Sequence, residues 1–162
     1  MPSTTELIKE LRDKTGAGIM ECKKAIEDAL GDVGKAEQLI KERGLAIAAK
    51  KAEREAGQGL IDSYVHAGRI GAMIELNCET DFVARTDDFR RLAREIAMQV
   101  AATNPSRLSS QEASTDGDVP LLDQPYIRDP GKTVQDLVNE TIAKVRENVV
   151  IRRFARFELG GS

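Results

Sequence analysis

The sequence predicts an α+β fold, in which a small helical domain precedes a domain built on an antiparallel sheet. Apolar residues recur at helical spacing over the first 44 residues, whereas from Leu60 to Cys78 they alternate with small or polar residues. Gly57 and Gly59 lie where the period changes, as is typical of a domain boundary. We therefore expect a helical domain followed by three strands, antiparallel, with two helices covering one face of the sheet.

Three short helices are predicted within the first domain, residues 1–44. Ser3 and Glu6 have the spacing of a capping box at the start of the first helix. Glycines then separate the helices, because glycine carries a high backbone entropy cost inside a helix. The expected stops are Gly16 with Gly18, Gly31 and Gly44. Residues 45–56, rich in Ala, Lys and Glu, are expected to form a separate, solvated connecting helix.

The second of these helices, over residues 19–30, is predicted to bury one apolar stripe. Its members recur at helical spacing and are Ile19, Cys22, Ile26, Ala29 and Leu30. Three helices of this size bury little surface, so the domain is expected to lie near the lower limit of independent stability.

The second domain, residues 57–162, is predicted to begin with a β-hairpin. Strands over 60–66 and 69–78 flank Ala67 and Gly68, and Gly can take the positive φ that a tight hairpin turn needs. A last strand over 149–159 is enriched in β-branched residues and Phe.

Two amphipathic helices are expected on this sheet. Thr86 can cap the first, whose apolar positions recur at helical spacing over 89–101. Thr133 and Asp136 can cap the second. The intervening residues 104–120 are rich in Ser, Asp and Gly without periodicity, and we expect a flexible surface loop there.

The composition excludes several classes of protein. The net charge is −3 and the pI about 5.4, so the chain lacks the basic character of a nucleic-acid binder. Cys22 and Cys78 form no C-x-x-C pair, which favours a reduced, intracellular protein. No apolar run approaches the roughly 18 residues of a membrane span, and no signal peptide is evident. We expect a cytoplasmic protein that binds neither nucleic acid nor membrane.

Catalytic groups are not assembled by any motif in the sequence. His66 is the single histidine and lies at a hairpin tip, where an exposed turn residue is expected. One histidine with two distant cysteines does not provide the four ligands of a zinc site. Gly16 and Gly18 lack the spacing of a phosphate-binding loop. We therefore expect no enzyme, no metal and no cofactor. Among the clustered carboxylates, Glu79 and Asp81 lack an evident structural role.

The segment between the hairpin and the strong helix, residues 77–85, carries apolar side chains in a polar loop. Phe82 has two interpretations of about equal weight at this point. The ring either folds beneath the helix as part of the core, or it is presented to a partner as an aromatic anchor on a loop that is held at both ends.

Four segments, in order, resemble conserved stretches of the elongation factor Ts family. They are LRDKTGAGIMECKKA at 11–25, NCETDFVAR at 77–85, LDQPY at 122–126 and VIRRF at 150–154. The resemblance implies a three-helix module similar to ubiquitin-associated domains, followed by an α+β core. Many members have a longer helical stretch where this chain has only residues 104–120, and some have a second core subdomain. Short members tend to pair with themselves, so a homodimer is expected.

The resemblance also implies a function. The chain is expected to bind elongation factor Tu, displace its Mg²⁺ and promote GDP release so that GTP can bind. Thr80, Asp81, Phe82 and Val83 match the motif that displaces the magnesium. Met20 and Lys23 are expected to dock on the same partner, although Met20 as core filler and a merely solvated Lys23 are equally open. The alternative function is a non-catalytic adaptor that uses the three-helix module.

Overall fold

A computed structural model describes residues 1–113 and 117–161. The predicted loop 104–120 and the predicted frayed C-terminus extend over 114–116 and Ser162, which lie outside the described residues. In chain order the elements are α1 (Thr4–Thr15), α2 (Ile19–Asp28), α3 (Val33–Lys51), β1 (Gln58–His66), β2 (Ile70–Cys78), α4 (Asp81–Ala84), α5 (Asp87–Thr103), β3 (Pro125–Tyr126), β4 (Asp129–Thr133), α6 (Val134–Val145) and β5 (Val149–Glu158). The α+β fold class is confirmed. The chain divides into two compact units, Met1–Lys50 and the residues from Lys51 onward.

The first unit contains the three predicted N-terminal helices, which fit a module similar to ubiquitin-associated domains. The capping box of α1 is present: Ser3 Oγ accepts from the Glu6 N–H at 3.3 Å, and Glu6 Oε2 accepts from the Ser3 N–H at 2.6 Å. Gly16 ends α1 with φ of 69°, a conformation that glycine adopts without strain. The buried core of the unit is small and consists of Leu11, Ala17, Cys22, Ala25, Ile26, Ala29, Ala36 and Ile40.

Two sequence predictions for this unit are wrong. The third helix does not stop at Gly44 but continues to Lys51, so there is no separate connecting helix over 45–56. Gly44 is buried and lies four residues from Ile40 and from Ala48, which are also buried. A packed position on a helix face therefore outweighs the roughly 1 kcal/mol that glycine costs in a helix.

The buried stripe predicted for α2 is correct at Cys22, Ile26 and Ala29 but wrong at its two ends. Ile19 is 54% exposed and Leu30 is 94% exposed. Leu30 lies beyond the end of α2 with φ of 54°, so it has left the helical face on which its spacing would place it. The predicted helix was too long by two residues, a common uncertainty at helix ends.

In the second unit, β1, β2 and β5 form an antiparallel sheet, as predicted. The structure adds the strand order, which is β1-β2-β5. The hairpin turn has φ of 52° at Ala67 and 68° at Gly68. Positive φ at both central residues matches the right-handed twist of the flanking strands. Alternate residues of β2 are buried, namely Ala72, Ile74, Leu76 and Cys78.

Helices cover the buried side of this sheet. The Thr86 cap of α5 and the Thr133 capping box of α6 are both present. The predicted apolar face of α5 is buried throughout, with Phe89 and Val100 fully enclosed. The hairpin of β3 and β4 was not predicted. Its second strand contains Pro130 and Gly131, residues that are depleted in strands.

The opposite side of the sheet carries large apolar side chains in solvent. Cross-strand partners lie on one face of a sheet, and the pairs Ser63–Met73, Met73–Ala155, Val65–Gly71 and Gly71–Phe157 place these residues together. Ile61 is 61%, Val65 64%, Met73 53% and Phe157 79% exposed. We call the surface formed by Ile61, Val65, Met73 and Phe157 the outer sheet face.

Candidate functional site

Residues 80–83, which we call the 80–83 turn, connect β2 to the beginning of α5. Sequence reasoning predicted a loop here, but the structure has a one-turn helix, α4. Thr80 caps it: its Oγ1 accepts from the Val83 N–H at 3.4 Å. At the other end, Thr86 Oγ1 donates to the carbonyl of Val83 at 2.7 Å. A threonine therefore fixes each end of the turn.

The Phe82 side chain is presented to solvent. It is 81% exposed, so the core alternative raised by the sequence is wrong. Its neighbours behave differently: Val83 is half-buried and Ala84 is buried. Asp81 is exposed, and its Oδ2 lies 3.2 Å from Arg85 Nη2. The turn is thus attached to the domain through Val83 and Ala84, and it holds an aromatic ring beside an acidic group in solvent.

Glu147, just before β5, is hydrogen-bonded to the start of this turn. Its Oε1 accepts from the N–H of Glu79 at 3.2 Å and of Thr80 at 2.9 Å. Its Oε2 accepts from Thr80 Oγ1 at 2.7 Å. The neighbouring residue reciprocates, since the Asn148 N–H donates to Glu79 Oε2 at 2.6 Å. Two carboxylates therefore join the end of β2 to the start of β5.

Buried polar groups lie against the same region. Asn148 is buried, and its Nδ2 donates to the carbonyl of Arg54 at 2.8 Å. Cys78 is fully buried, and its thiol donates to the carbonyl of Thr80 at 3.0 Å. Burial raises the pKa of the Cys78 thiol to about 11, with the negative charge of Glu147 adding to the effect. The thiol therefore stays protonated, and a donor, at neutral pH.

Sequence reasoning missed Glu147 and Asn148 as parts of this site. It also found no structural role for Glu79, whereas in the structure the Glu79 carboxylate accepts a hydrogen bond from the Asn148 backbone. A usable signal was present in the sequence. The end of the second predicted strand must lie beside the start of the last one if the two pair antiparallel, and Cys78 indeed pairs with Val149. Residues just outside that pair, 79–80 and 147–148, then face each other.

Met20 and Lys23 lie in the first unit, on α2, whereas residues 80–83 lie in the second unit. Both side chains are exposed, Met20 by 72%. The interpretation of Met20 as core filler is therefore wrong. Residues three apart lie on the same side of a helix, so the two side chains form one small amphipathic patch. Their role in docking stays a prediction.

The described residues contain no group of three or more His, Cys, Asp or Glu that could hold a metal ion. His66 is exposed at the end of β1, and its Nδ1 lies 2.9 Å from the Tyr64 hydroxyl. Across residues 1–113 and 117–161, none of the helices is both long and apolar enough to span a bilayer.

Comparison with known proteins gives a consistent result over the whole chain. The family model described as Elongation factor TS matches residues 6–117 and 79–162. The Elongation factor Ts of Thermodesulfovibrio yellowstonii is 44% identical, with 99% of this chain and 98% of the relative covered. That of Thermoanaerobacter sp. (strain X514) is 47% identical, with 97% and 95% covered.

A third relative, the Elongation factor Ts of Herpetosiphon aurantiacus, is 42% identical, and both chains are covered completely. Its alignment extends over 198 residues, more than the 162 of this chain. The relative therefore contains residues that have no counterpart here, although the two chains match from end to end.

Proposed function

Because the chain belongs to the elongation factor Ts family, and is thus a translation elongation factor, we propose that it is the nucleotide exchange factor of elongation factor Tu. In this proposal it binds elongation factor Tu in the cytoplasm, displaces the Mg²⁺ there and promotes release of GDP, so that GTP can bind. It performs no covalent chemistry and is not an enzyme. The observation that carries the proposal is the 81% exposed Phe82 ring on a turn bonded at both ends.

The mechanism depends on how a GTPase holds GDP. Phosphate contacts supply much of the binding, and Mg²⁺ neutralises the phosphate charge. A side chain that moves the groups around the ion therefore weakens the nucleotide without contacting its base. Phe82 is the wedge in this mechanism and enters an apolar slot of the partner. Asp81 rearranges the polar groups around the water shell of the ion.

Thr80 and Val83 have the supporting role of fixing the geometry. The Thr80 hydroxyl caps α4, and the Val83 carbonyl is bonded to Thr86. A ring held on such a turn loses little conformational entropy on binding, which is the usual advantage of a preorganised anchor. Such an anchor suits an interaction in which a few contacts must also rearrange the nucleotide site of the partner.

The energetic requirement is modest. Each ~1.4 kcal/mol removed from the barrier speeds release about tenfold. About 4 kcal/mol of contacts that form only as GDP leaves would accelerate release roughly a thousandfold. Coupling is reciprocal, so GDP must weaken the binding of this chain to elongation factor Tu by the same factor as the chain weakens GDP.

The three-helix module is assigned to docking. Met20 supplies apolar area and Lys23 a positive charge, and both are exposed on one side of α2. Methionine suits such a surface because its flexible side chain adapts to irregular pockets. This contact adds affinity, whereas the 80–83 turn changes the nucleotide site.

The outer sheet face is assigned to self-association. Four large apolar residues share this face and are each at least 53% exposed. Contiguous apolar patches of this kind often mark protein interfaces. Glu75, Arg152 and Arg153 lie beside the patch, with Glu75 Oε1 2.9 Å from Arg153 Nε. A two-fold dimer would bury this apolar face against the same face of a second copy, which supports a homodimer.

Release of fluorescent GDP from purified elongation factor Tu tests the proposal. The chain should accelerate release by orders of magnitude when present in excess. Raising the Mg²⁺ concentration should reduce the acceleration, because free Mg²⁺ rebinds to elongation factor Tu and so opposes displacement of the ion. An unchanged release rate would reject the exchange function and favour the adaptor alternative, in which the three-helix module binds another protein.

A further inference from the structure

We propose that Glu147 is the positioning residue of the 80–83 turn: its carboxylate holds Thr80, and through Thr80 it sets where the Phe82 ring points. The inference rests on the exchange function proposed above and extends it to a residue outside the motif. Glu147 lies 67 positions from Thr80 in sequence, and it contacts the start of the turn directly in the structure.

The pattern of donors is specific. A single side chain accepts all three hydrogen bonds, from the N–H groups of Glu79 and Thr80 and from the Thr80 hydroxyl, at 3.2, 2.9 and 2.7 Å. Hydrogen bonds to an ionised carboxylate are about twice as strong as neutral ones. Together they fix both the backbone and the side-chain rotamer of Thr80.

The position of Thr80 determines the rest of the turn. Its Oγ1 is shared, donating to Glu147 and accepting from the Val83 N–H. Phe82 lies between Thr80 and Val83, and it is 81% exposed. The direction of the ring therefore depends mainly on the backbone of the turn, because most of the side-chain surface is in solvent.

Glu147 is itself well placed to act as a fixed point. Asn148, the next residue, is buried, donates its N–H to Glu79 and donates its side-chain amide to Arg54. Val149 then begins β5 and pairs with Cys78. The carboxylate thus lies two residues before β5, in a segment that Asn148 and Val149 attach to the rest of the unit.

Loss of the Glu147 carboxylate should change the geometry of the 80–83 turn more than the affinity for elongation factor Tu. Removing the carboxylate leaves the motif in the chain but lets the turn adopt several arrangements. A displacement of about 1 Å at a reacting site can cost roughly a hundredfold in rate. We expect Glu147→Ala to lower the maximal rate of stimulated GDP release about tenfold, measured with the variant at saturating concentration over elongation factor Tu.

Matched variants separate positioning from charge and from folding. Glu140→Ala removes the same charge in the same unit, where Glu140 pairs with Lys132, and it should leave the rate unchanged. Glu147→Gln keeps one carbonyl oxygen for the backbone N–H groups, and it should recover part of the rate. In Glu147→Ala, the amide hydrogens of Glu79 and Thr80 should exchange faster than in the wild type.

The decisive experiment is a double-mutant cycle with Phe82→Ala. If Glu147 acts through the ring, Glu147→Ala has no further effect on release once Phe82 is absent, and the double variant matches Phe82→Ala within about twofold. Loss of stability alone would instead slow release by the same factor in both backgrounds, and that result overturns the positioning role. So does a wild-type rate in Glu147→Ala. Failure of the wild-type chain to release GDP rejects the exchange function itself.

Discussion

Phe82 and Phe157 are nearly equal in exposure, at 81% and 79%, yet they lie in very different settings. Phe82 projects from a short turn, between Asp81 and Val83, and the hydroxyls of Thr80 and Thr86 are bonded to the backbone of that turn. Phe157 lies on a strand face with Met73, Val65 and Ile61. The degree of exposure therefore does not by itself indicate a role. A single ring on a fixed turn suits insertion into a small slot, whereas a row on a flat sheet suits a broad contact.

The largest expected effect separates these two rings. Phe82→Ala should reduce stimulated GDP release roughly 100-fold, as truncation of a central anchor costs 2 kcal/mol or more. Its melting temperature should change little, because surface substitutions usually cost within ±0.5 kcal/mol. Phe157→Ala is the matched control and should retain at least a third of the wild-type rate. Equal losses of release rate in the two variants would contradict the assignment of Phe82 to exchange and of Phe157 to another contact.

Self-association tests the outer sheet face, with Phe82 now serving as the control. Met73→Lys places a charge at the centre of the outer sheet face, and it should raise the dimer dissociation constant roughly 30-fold in sedimentation experiments. Phe82→Ala should leave that constant unchanged. Wild-type behaviour as a monomer at all concentrations would reject self-association through the outer sheet face.

A smaller effect is expected for the first unit. The double substitution Met20→Ala with Lys23→Ala should weaken binding to elongation factor Tu about fivefold to tenfold, while the release rate at saturation stays near that of the wild type. Lys24→Ala is the control, since Lys24 is a neighbouring exposed lysine on the same helix. A lower saturated rate with unchanged affinity would contradict the division between docking and exchange.

The smallest effect concerns the thiol beneath the turn. The pKa of Cys78 is about 11 when folded, above the 9.0 of an ordinary thiol. The folded state therefore binds this proton more tightly, and the resulting stability, complete below pH 9, is lost as pH rises towards 11. The melting temperature of Cys78→Ala should fall less steeply than that of the wild type across this window. Parallel curves of melting temperature against pH for the two proteins would contradict a raised pKa for the Cys78 thiol.

Much of the fold could be predicted from the sequence because local rules and tertiary packing agree. The caps at Ser3, Thr86 and Thr133, the Ala67-Gly68 turn and the alternation of β2 each depend on neighbours within a few residues. Gly44 was misjudged because its burial depends on tertiary contacts, which override the helix propensity of glycine.

The candidate site was predictable only in part, because some of its contacts are local in sequence and others depend on the tertiary structure. Apolar residues in a polar loop singled out the segment 77–85, and the resemblance to the family motif then selected residues 80–83 within it. Whether Phe82 is buried could not be decided from spacing, since the short segment has no period to follow. Glu147 was missed because its role arises from strand pairing 67 positions away in the chain. Contacts of this kind follow from topology and not from local pattern.

The most direct test of the central claim is a crystal structure of this chain bound to nucleotide-free elongation factor Tu. The account predicts that the Phe82 ring is buried in the partner beside the magnesium site, with Glu147 still bonded to Thr80. A complex in which elongation factor Tu has lost its nucleotide while Phe82 remains in solvent would contradict it.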